Sequence, residues 1–143
     1  MKIALTGATG FIGSYVVEHL GSLGHSLRCW HRPTSDTSGF DNIAQIEWIE
    51  GDLGETESAK TLVDGCDAVV HAALYRQGAG FGGAEGDVVE FVEKNVVGTV
   101  KLIEAARSAG AGRFIAFSTC AVHDQILDDR PLDETHPCLD RLP

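Results

Sequence analysis

Hydrophobic and polar positions follow two alternating patterns along this chain. Five short apolar runs have the character of buried strands, and they cover residues 2–6, 26–31, 46–50, 67–73 and 113–119. Between them, apolar residues recur every three or four positions, as in helices that cover a sheet, over 11–23, 55–63 and 87–109. Strands that alternate with helices predict an α/β fold with a parallel sheet and right-handed crossovers.

The details of these segments refine the prediction. The run 67–73 (DAVVHAA) is continuously apolar, as in a strand covered on both faces. Five strands match the start of a doubly wound sheet in the order 3-2-1-4-5. In the helix 87–109 we expect the apolar positions to serve the core and Gly98 to pack closely on a neighbour. Residues 77–86 hold five glycines and predict a mobile loop.

Composition and charge exclude several classes of protein. The 143 residues suffice for one domain, and 43% hydrophobic with 22% charged residues is the balance of a globular protein, not of a disordered or fibrous one. A net charge of −10 argues against nucleic acid or an anionic membrane as the main partner. An anionic ligand must therefore be held by local geometry, such as a helix N-terminus or a single arginine.

The lack of long apolar runs and the spacing of the cysteines point to a cytoplasmic protein. The spacing of the histidines bears on metal binding. No apolar run approaches the length of a membrane-spanning helix. The four cysteines form no C-x-x-C pair, which is typical of a reduced cytoplasmic protein. The six histidines lack the spacing of metal ligands, so we expect no metal site.

A glycine-rich turn, residues 7–13 (GATGFIG), follows the first strand and opens the first helix. In such a turn, the first glycine permits the tight bend, the second admits a pyrophosphate close to the backbone, and the third lets helix and strand pack closely. The helix N-terminus adds free N–H groups and a positive dipole end. The pattern favours nucleotide binding over a glycine turn that serves packing alone.

The chain resembles the NAD-dependent epimerase/dehydratase family of the extended or atypical short-chain dehydrogenase/reductase superfamily. TGATGFIG carries the resemblance at the N-terminus, and further similar segments follow in the family's order. They are 51–53 (GDL), 70–73 (VHAA), 95–99 (NVVGT), 117–122 (FSTCAV) and 131–137 (PLDETHP). The resemblance implies a Rossmann fold and a nicotinamide dinucleotide cofactor.

The resemblance also implies roles for residues after the third and fourth strands. Asp52 would contact the adenine amino group, and Leu53 would pack on the ring; the alternative for Asp52 is an ordinary turn acid. Ala72 and Ala73 would line the cofactor's path, or they pack in the core without a ligand. Asn95 would hold the start of the neighbouring strand or a bound water.

The end of the second strand bears on the choice of cofactor. An acid there binds the ribose 2′-hydroxyl of NAD, and an arginine pairs with the 2′-phosphate of NADP. Here His31 and Arg32 occupy it, with the hydroxyls of Thr34 and Ser35 behind them and the nearest acid, Asp36, further into the loop. NADP is therefore favoured over NAD, and the alternative for Arg32 is a solvated loop arginine.

The catalytic group of the family is only partly present in these residues. The family uses a Ser or Thr after the fifth strand, which Thr119 matches with Ser118 beside it, although these hydroxyls could instead satisfy backbone groups at the strand end. A Tyr-x-x-x-Lys pair is absent, since neither Tyr15 nor Tyr75 has a lysine four residues later. We therefore expect residues 1–143 to be an incomplete N-terminal cofactor domain, inactive alone, with the substrate-binding part missing.

Two functions from different classes remain open. The first is an NAD(P)-dependent oxidoreductase, epimerase or dehydratase for a sugar nucleotide or another small carbonyl or hydroxyl substrate; the second is a non-catalytic nucleotide-binding sensor. A stable stand-alone domain is disfavoured because its fifth strand would be an uncovered edge. The family also suggests a homodimer through the 87–109 helix. The candidate cofactor-binding residues are Gly7, Thr9, Gly10, Phe11, Ile12, Gly13, His31, Arg32, Asp52, Leu53, Ala72, Ala73 and Asn95.

Overall fold

One five-stranded parallel sheet organises the molecule. The computed structural model describes residues 1–43, 45–77, 86–119, 122–123, 131, 133–136 and 138. The strand order is β3-β2-β1-β4-β5, which confirms the predicted doubly wound α/β fold. The strands are β1 (Lys2–Thr6), β2 (Ser26–His31), β3 (Ile46–Glu50), β4 (Ala68–His71) and β5 (Arg113–Ala116).

The last two strands are shorter than the apolar runs that predict them. At the end of β4, the Ala72 N–H still donates to the Thr6 carbonyl oxygen at 3.2 Å. The next amide, of Ala73, donates to the Thr6 side-chain hydroxyl at 3.3 Å instead. The backbone ladder therefore ends where a side chain takes over as the acceptor.

Four α-helices and a π-turn connect the strands in the described part of the chain. They are α1 (Phe11–Ser22), α2 (Thr56–Val63), α3 (Val88–Val92) and α4 (Gly98–Ser108), with the π-turn Glu93–Val97 joining α3 to α4 and a short 3-10 turn at Ser38–Phe40. The predicted helix 87–109 is thus continuous but contains a wider turn at its centre. A Cβ at Gly98 would lie 2.8 Å from the Gly54 nitrogen, which confirms the predicted close packing.

The core lies on both faces of the sheet because successive strand residues point to opposite sides. In β1, Ile3 and Leu5 pack with Val17 of α1 in one apolar cluster. Ala4 packs on the other face with Leu62 of α2 and with residues of α4. Each face of the central strand is therefore covered by helices, as the continuous apolar runs predict.

The prediction that the apolar positions of 87–109 serve the core is wrong for most of them. Leu102 is fully buried, and Gly98 and Ala106 are buried beside it. The other side of the helix carries a row of exposed apolar side chains, hereafter the valine row: Val88, Val92, Val96, Val100 and Ile103. A helix packed on one side leaves its opposite side in solvent whatever residues it carries.

Parts of the sequence predictions lie outside the described residues. These are residues 78–85 of the glycine-rich loop, Cys120 and Ala121 after β5, and Leu132 and Pro137 of the proline-bearing segment. β5 forms one edge of the described sheet, and Ile115 on it is 51% exposed. In the described part of the chain, no helix has the length and apolar character needed to cross a bilayer.

Candidate functional site

A cavity of about 440 Å³ opens at the carboxyl ends of the central strands. It lies where the strand order reverses between β1 and β4, the place at which doubly wound sheets bind their ligands. Its wall comes from the segments that follow β1, β2, β3 and β4. The described wall residues are Gly7, Thr9, Gly10, Phe11, Ile12, Gly13, Trp30, His31, Arg32, Ser35, Gly51, Asp52, Leu53, Ala72, Ala73, Leu74, Tyr75 and Arg76.

Two positions of the glycine turn after β1 accept only glycine. Gly7 has a φ of +74°, and a Cβ there would lie 2.6 Å from the Ala73 nitrogen. A Cβ at Gly13 would lie 1.9 Å from the Gly7 carbonyl oxygen. The Gly10 N–H donates to that same oxygen at 3.0 Å and closes the turn. These contacts bring the start of α1 against the ends of β1 and β4.

The N-terminus of α1 faces this cavity without a side-chain cap. Gly10 occupies the N-cap position, and no acidic residue lies in the first turn of the helix. Phe11, Ile12 and Gly13, the first three helical residues, line the wall. Uncapped first-turn N–H groups and the positive end of the helix dipole suit an anionic group such as a phosphate.

Arg32 and Ser35 are held together by a closed turn after β2. The Ser35 N–H donates to the Arg32 carbonyl oxygen at 2.8 Å, and the Arg32 N–H donates to the Ser35 hydroxyl oxygen at 3.1 Å. Pro33 stands at the corner, where its fixed φ favours such a turn. The turn places Arg32 and Ser35 together on the cavity wall, while Thr34 is not among the described wall residues.

Asp36, the acidic residue nearest to this turn in the sequence, is not among the described wall residues. One oxygen of Asp36 accepts hydrogen bonds from the Ser38 N–H at 2.9 Å and from the Ser38 hydroxyl at 2.7 Å. These bonds from Ser38 lower the pKa of Asp36. Among the described wall residues, none near Arg32 is acidic. The end of β2 therefore offers a cation and hydroxyl donors rather than an acceptor for a ribose hydroxyl.

Asp52 follows β3 on the wall and is paired with a lysine from the π-turn. The Lys94 ammonium donates to Asp52 Oδ2 at 2.8 Å, and both side chains are about three-quarters buried. That hydrogen bond raises the pKa of Lys94. Leu53, the next residue, is buried against the core and contributes to the same wall. Asp52 is therefore a neutralised carboxylate with its second oxygen free of the Lys94 contact.

Asn95 fixes the segment that follows β4. Its Oδ1 accepts from the Tyr75 N–H at 2.7 Å, and its Nδ2 donates to the Tyr75 carbonyl oxygen at 3.0 Å. This pair of bonds ties the π-turn to the wall beyond Ala72 and Ala73. The partner is the loop after β4, not the start of a strand.

A buried hydrogen-bond chain runs beneath this wall through His71. Thr6 Oγ1 lies 2.6 Å from His71 Nδ1, and Thr99 Oγ1 lies 2.9 Å from His71 Nε2. Since the Thr99 hydroxyl donates to the Asn95 carbonyl, it accepts from His71 Nε2–H, so Nδ1 is the acceptor for the Thr6 hydroxyl. Burial lowers the pKa of His71, in agreement with a neutral ring.

Ser118 and Thr119, the candidate catalytic residues, follow β5 at the same edge of the sheet. Both are exposed, and neither is among the described residues of the cavity wall. The structure thus brings the glycine turn, Arg32, Asp52 and the two alanines around one cavity, and places the two hydroxyl residues outside its described wall.

The charge of the wall differs in sign from that of the whole chain. Arg32 and Arg76 contribute two guanidinium groups, and Asp52, the acidic residue among the described wall residues, is paired with Lys94. The chain as a whole carries a net charge of −10. A cavity with positive side chains and an uncapped helix N-terminus in such a chain suits an anionic ligand.

The sequence model of the NAD dependent epimerase/dehydratase family matches residues 3–141. The match spans the glycine turn, the cavity and all five strands. The chain belongs to this family. The segments that resemble the family in the sequence all lie within this match. The strand order of the sheet agrees with the Rossmann fold that the resemblance implies.

The chain is also similar to curated proteins whose names differ from one another. Sterol demethylase protein B of Methylococcus capsulatus is 33% identical over 119 residues, which are 83% of this chain and 34% of that protein. The UDP-glucose 4-epimerase of Rhizobium leguminosarum is 31% identical over 145 residues, covering 94% of this chain and 40% of that protein.

A solved structure supports the same assignment. A short-chain dehydrogenase/reductase superfamily protein from Agrobacterium tumefaciens, with bound NAD, is 29% identical, with a TM-score of 0.74 over 96% of this chain and 39% of that one. The family is thus NAD-dependent. This chain spans between about a third and two-fifths of the length of these three proteins.

Sequence reasoning missed several residues that shape this family member's site. Lys94 gave no signal, because its partner Asp52 lies 42 residues earlier in the chain. Gly51 also shapes the site through close packing, since a Cβ there would lie 2.5 Å from Trp30 Nε1 and 2.7 Å from the Ser58 side chain. The signal for Gly51 was available, since a glycine directly after a strand often marks a close approach.

Proposed function

We propose that residues 1–143 are the cofactor-binding portion of an NADP-dependent oxidoreductase, epimerase or dehydratase of this family. Its substrate would be a sugar nucleotide or another small molecule with a carbonyl or hydroxyl group. The observation that carries the proposal is the positive cavity wall in a chain of net charge −10, built from the α1 N-terminus and Arg32. A nicotinamide dinucleotide is an anionic ligand of this kind.

The turn after β2 supports NADP over NAD. Arg32 presents a planar guanidinium that suits bidentate contact with a phosphate, and the Ser35 hydroxyl beside it can donate to the same group. The Asp36 carboxylate, which could otherwise accept from a ribose 2′-hydroxyl, is not among the described wall residues, and one of its oxygens accepts from Ser38. In this proposal Gly7, Gly10 and Gly13 would hold the pyrophosphate, and Arg32 would select the 2′-phosphate.

The bound dinucleotide would supply or accept a hydride at the substrate carbon. Thr119, exposed after β5, would donate a hydrogen bond to the reacting oxygen, with Ser118 beside it. Neither Tyr15 nor Tyr75 has a lysine four residues later, so residues 1–143 lack the Tyr-x-x-x-Lys pair of the family. We therefore propose that residues 1–143 bind the dinucleotide without turning over a substrate.

We also propose a homodimer through the valine row. Apolar side chains at intervals of three and four residues form one continuous stripe, and Val88, Val96 and Val100 on it are each more than half exposed. An exposed stripe of this kind on a helix is suited to pack against its own copy about a two-fold axis.

Titration with NADPH and NADH tests the cofactor proposal. Trp30 lines the cavity, so energy transfer from it to a bound reduced nicotinamide reports binding. The Trp48→Phe variant leaves Trp30 as the only tryptophan of the chain. We expect NADPH to bind more tightly than NADH and Arg32→Ala to weaken NADPH by about tenfold or more while leaving NADH unchanged.

Arg113→Ala is the matched control for Arg32→Ala. Arg113 is exposed at the amino end of β5, on the opposite edge of the sheet from the cavity. Its loss should change neither affinity. Equal affinity for the two dinucleotides, or tighter binding of NADH, would refute the choice of NADP, and binding of neither would refute the cofactor proposal as a whole.

A further inference from the structure

The π-turn Glu93–Val97 connects the helix to two segments of the cavity wall. Its consecutive residues Lys94 and Asn95 reach Asp52 after β3 and Tyr75 after β4. Single π-turns within α-helices occur frequently at functional sites, where the wider turn redirects side chains. The two contacts therefore connect this turn to the parts of the cavity wall that follow β3 and β4.

The packing of the helix on the Asp52–Gly54 segment does not depend on Lys94. Gly98 packs directly on the backbone, since a Cβ there would lie 2.8 Å from the Gly54 nitrogen and 3.3 Å from the Leu53 carbonyl carbon. Lys101, one helical turn further on, donates from its ammonium to the Gly54 carbonyl oxygen at 2.9 Å. What Lys94 adds is a contact with the carboxylate itself.

That contact occupies one oxygen of a carboxylate that lines the cavity. Lys94 takes Asp52 Oδ2 at 2.8 Å, so the other carboxylate oxygen is left for a donor from the cavity. The lysine is itself constrained, because its ammonium lies 6.0 Å from the centre of the Tyr75 ring and its side chain is 27% exposed. The ammonium also neutralises a carboxylate that would otherwise repel the phosphates of a dinucleotide.

We propose that Lys94 is a positioning residue, which orients and neutralises the Asp52 carboxylate so that its free oxygen accepts a hydrogen bond from the amino group of adenine. This inference rests on the proposed function, because it deepens the recognition of the dinucleotide at that site. It predicts that Lys94 controls base selectivity without contacting the base.

Replacement of adenine by hypoxanthine separates this role from a structural one. Hypoxanthine carries a carbonyl oxygen in place of the amino group, so it offers Asp52 an acceptor instead of a donor at that position. We would measure calorimetric dissociation constants of NADP and of its hypoxanthine analogue. Wild type should prefer NADP by about tenfold or more, since a hydrogen bond to a charged group is lost in the analogue. Lys94→Met should reduce that preference to about threefold or less.

Three further variants make the result decisive. Lys101→Met removes a lysine that bonds to the neighbouring Gly54 carbonyl and leaves the Lys94–Asp52 pair intact. It should keep the full preference for NADP over the hypoxanthine analogue. Lys94→Arg keeps the cation and should keep most of the preference for NADP. Lys94→Gln provides a second neutral variant if Lys94→Met does not fold. An unchanged preference in the neutral Lys94 variants, or an equal loss in Lys101→Met, would overturn the inference and leave the proposed function standing. Failure of wild type to bind either dinucleotide would overturn both.

Discussion

The hydrogen-bond chain through His71 leads to a quantitative prediction for Thr99→Val. The imidazole is 7% exposed and donates from Nε2 to the Thr99 hydroxyl at 2.9 Å. Valine keeps the size and the β-branch of threonine but offers no acceptor. The substitution therefore leaves the Nε2–H of a buried ring without a partner while changing the packing little.

The size of the effect follows from the cost of burying an unsatisfied polar group. That cost is about 1–3 kcal/mol, and we expect Thr99→Val to lower the free energy of unfolding by this amount. Thr99→Ser keeps the hydroxyl and removes one methyl group, so its loss should be about 1 kcal/mol or less. The ordering of the two variants separates the hydrogen bond from the packing of the methyl group.

Urea unfolding followed by circular dichroism at pH 7.5 measures these differences. Thr61→Val is the matched control, because Thr61 also donates to a carbonyl four residues earlier, at 3.1 Å, but is exposed on α2 and contacts no histidine through that hydroxyl. Its effect should lie within about 0.5 kcal/mol of zero. A Thr99→Val loss no larger than that of Thr61→Val, or a Thr99→Ser loss as large as that of Thr99→Val, would refute the assignment of the hydrogen bonds.

Three more outcomes follow from the same structure. Because burial lowers the pKa of His71, the unfolded chain takes up a proton on this residue at a higher pH than the folded chain does. Urea stability should therefore drop more between pH 7.5 and 5.5 in wild type than in His71→Asn, and parallel curves would contradict this. Gly13→Ala would place a Cβ 1.9 Å from the Gly7 carbonyl oxygen and should lower the free energy of unfolding, measured by thermal unfolding, by about 1–3 kcal/mol. Gly39→Ala, whose Cβ would lie in open space, should not lower it, and equal effects would contradict the steric argument. Light scattering should find a dimer for wild type and a monomer for Val96→Glu with Val100→Glu, and a monomeric wild type would refute the proposed interface.

The sequence alone predicts those features whose causes are local. Residues 7–13 must form a tight turn between a strand and a helix, because the need for glycine arises from contacts within that turn and with the adjacent strand. β1, β2 and β3 have the predicted bounds, since a short apolar run between turn residues has few other conformations to adopt. The wall residues after each strand then meet of necessity, because the carboxyl ends of parallel strands lie along one edge of the sheet.

Only the tertiary structure decides which distant side chains meet and which apolar residues are covered. Lys94 reaches Asp52 because the π-turn and the packing of Gly98 on Gly54 fix how the helix 87–109 lies against the segment that follows β3. The apolar pattern of residues 87–109 is compatible with burial on either side, and it does not reveal that Leu102 is covered while Val96 and Val100 are exposed. Helical periodicity identifies an apolar side, but the partners present in the fold determine which side is buried.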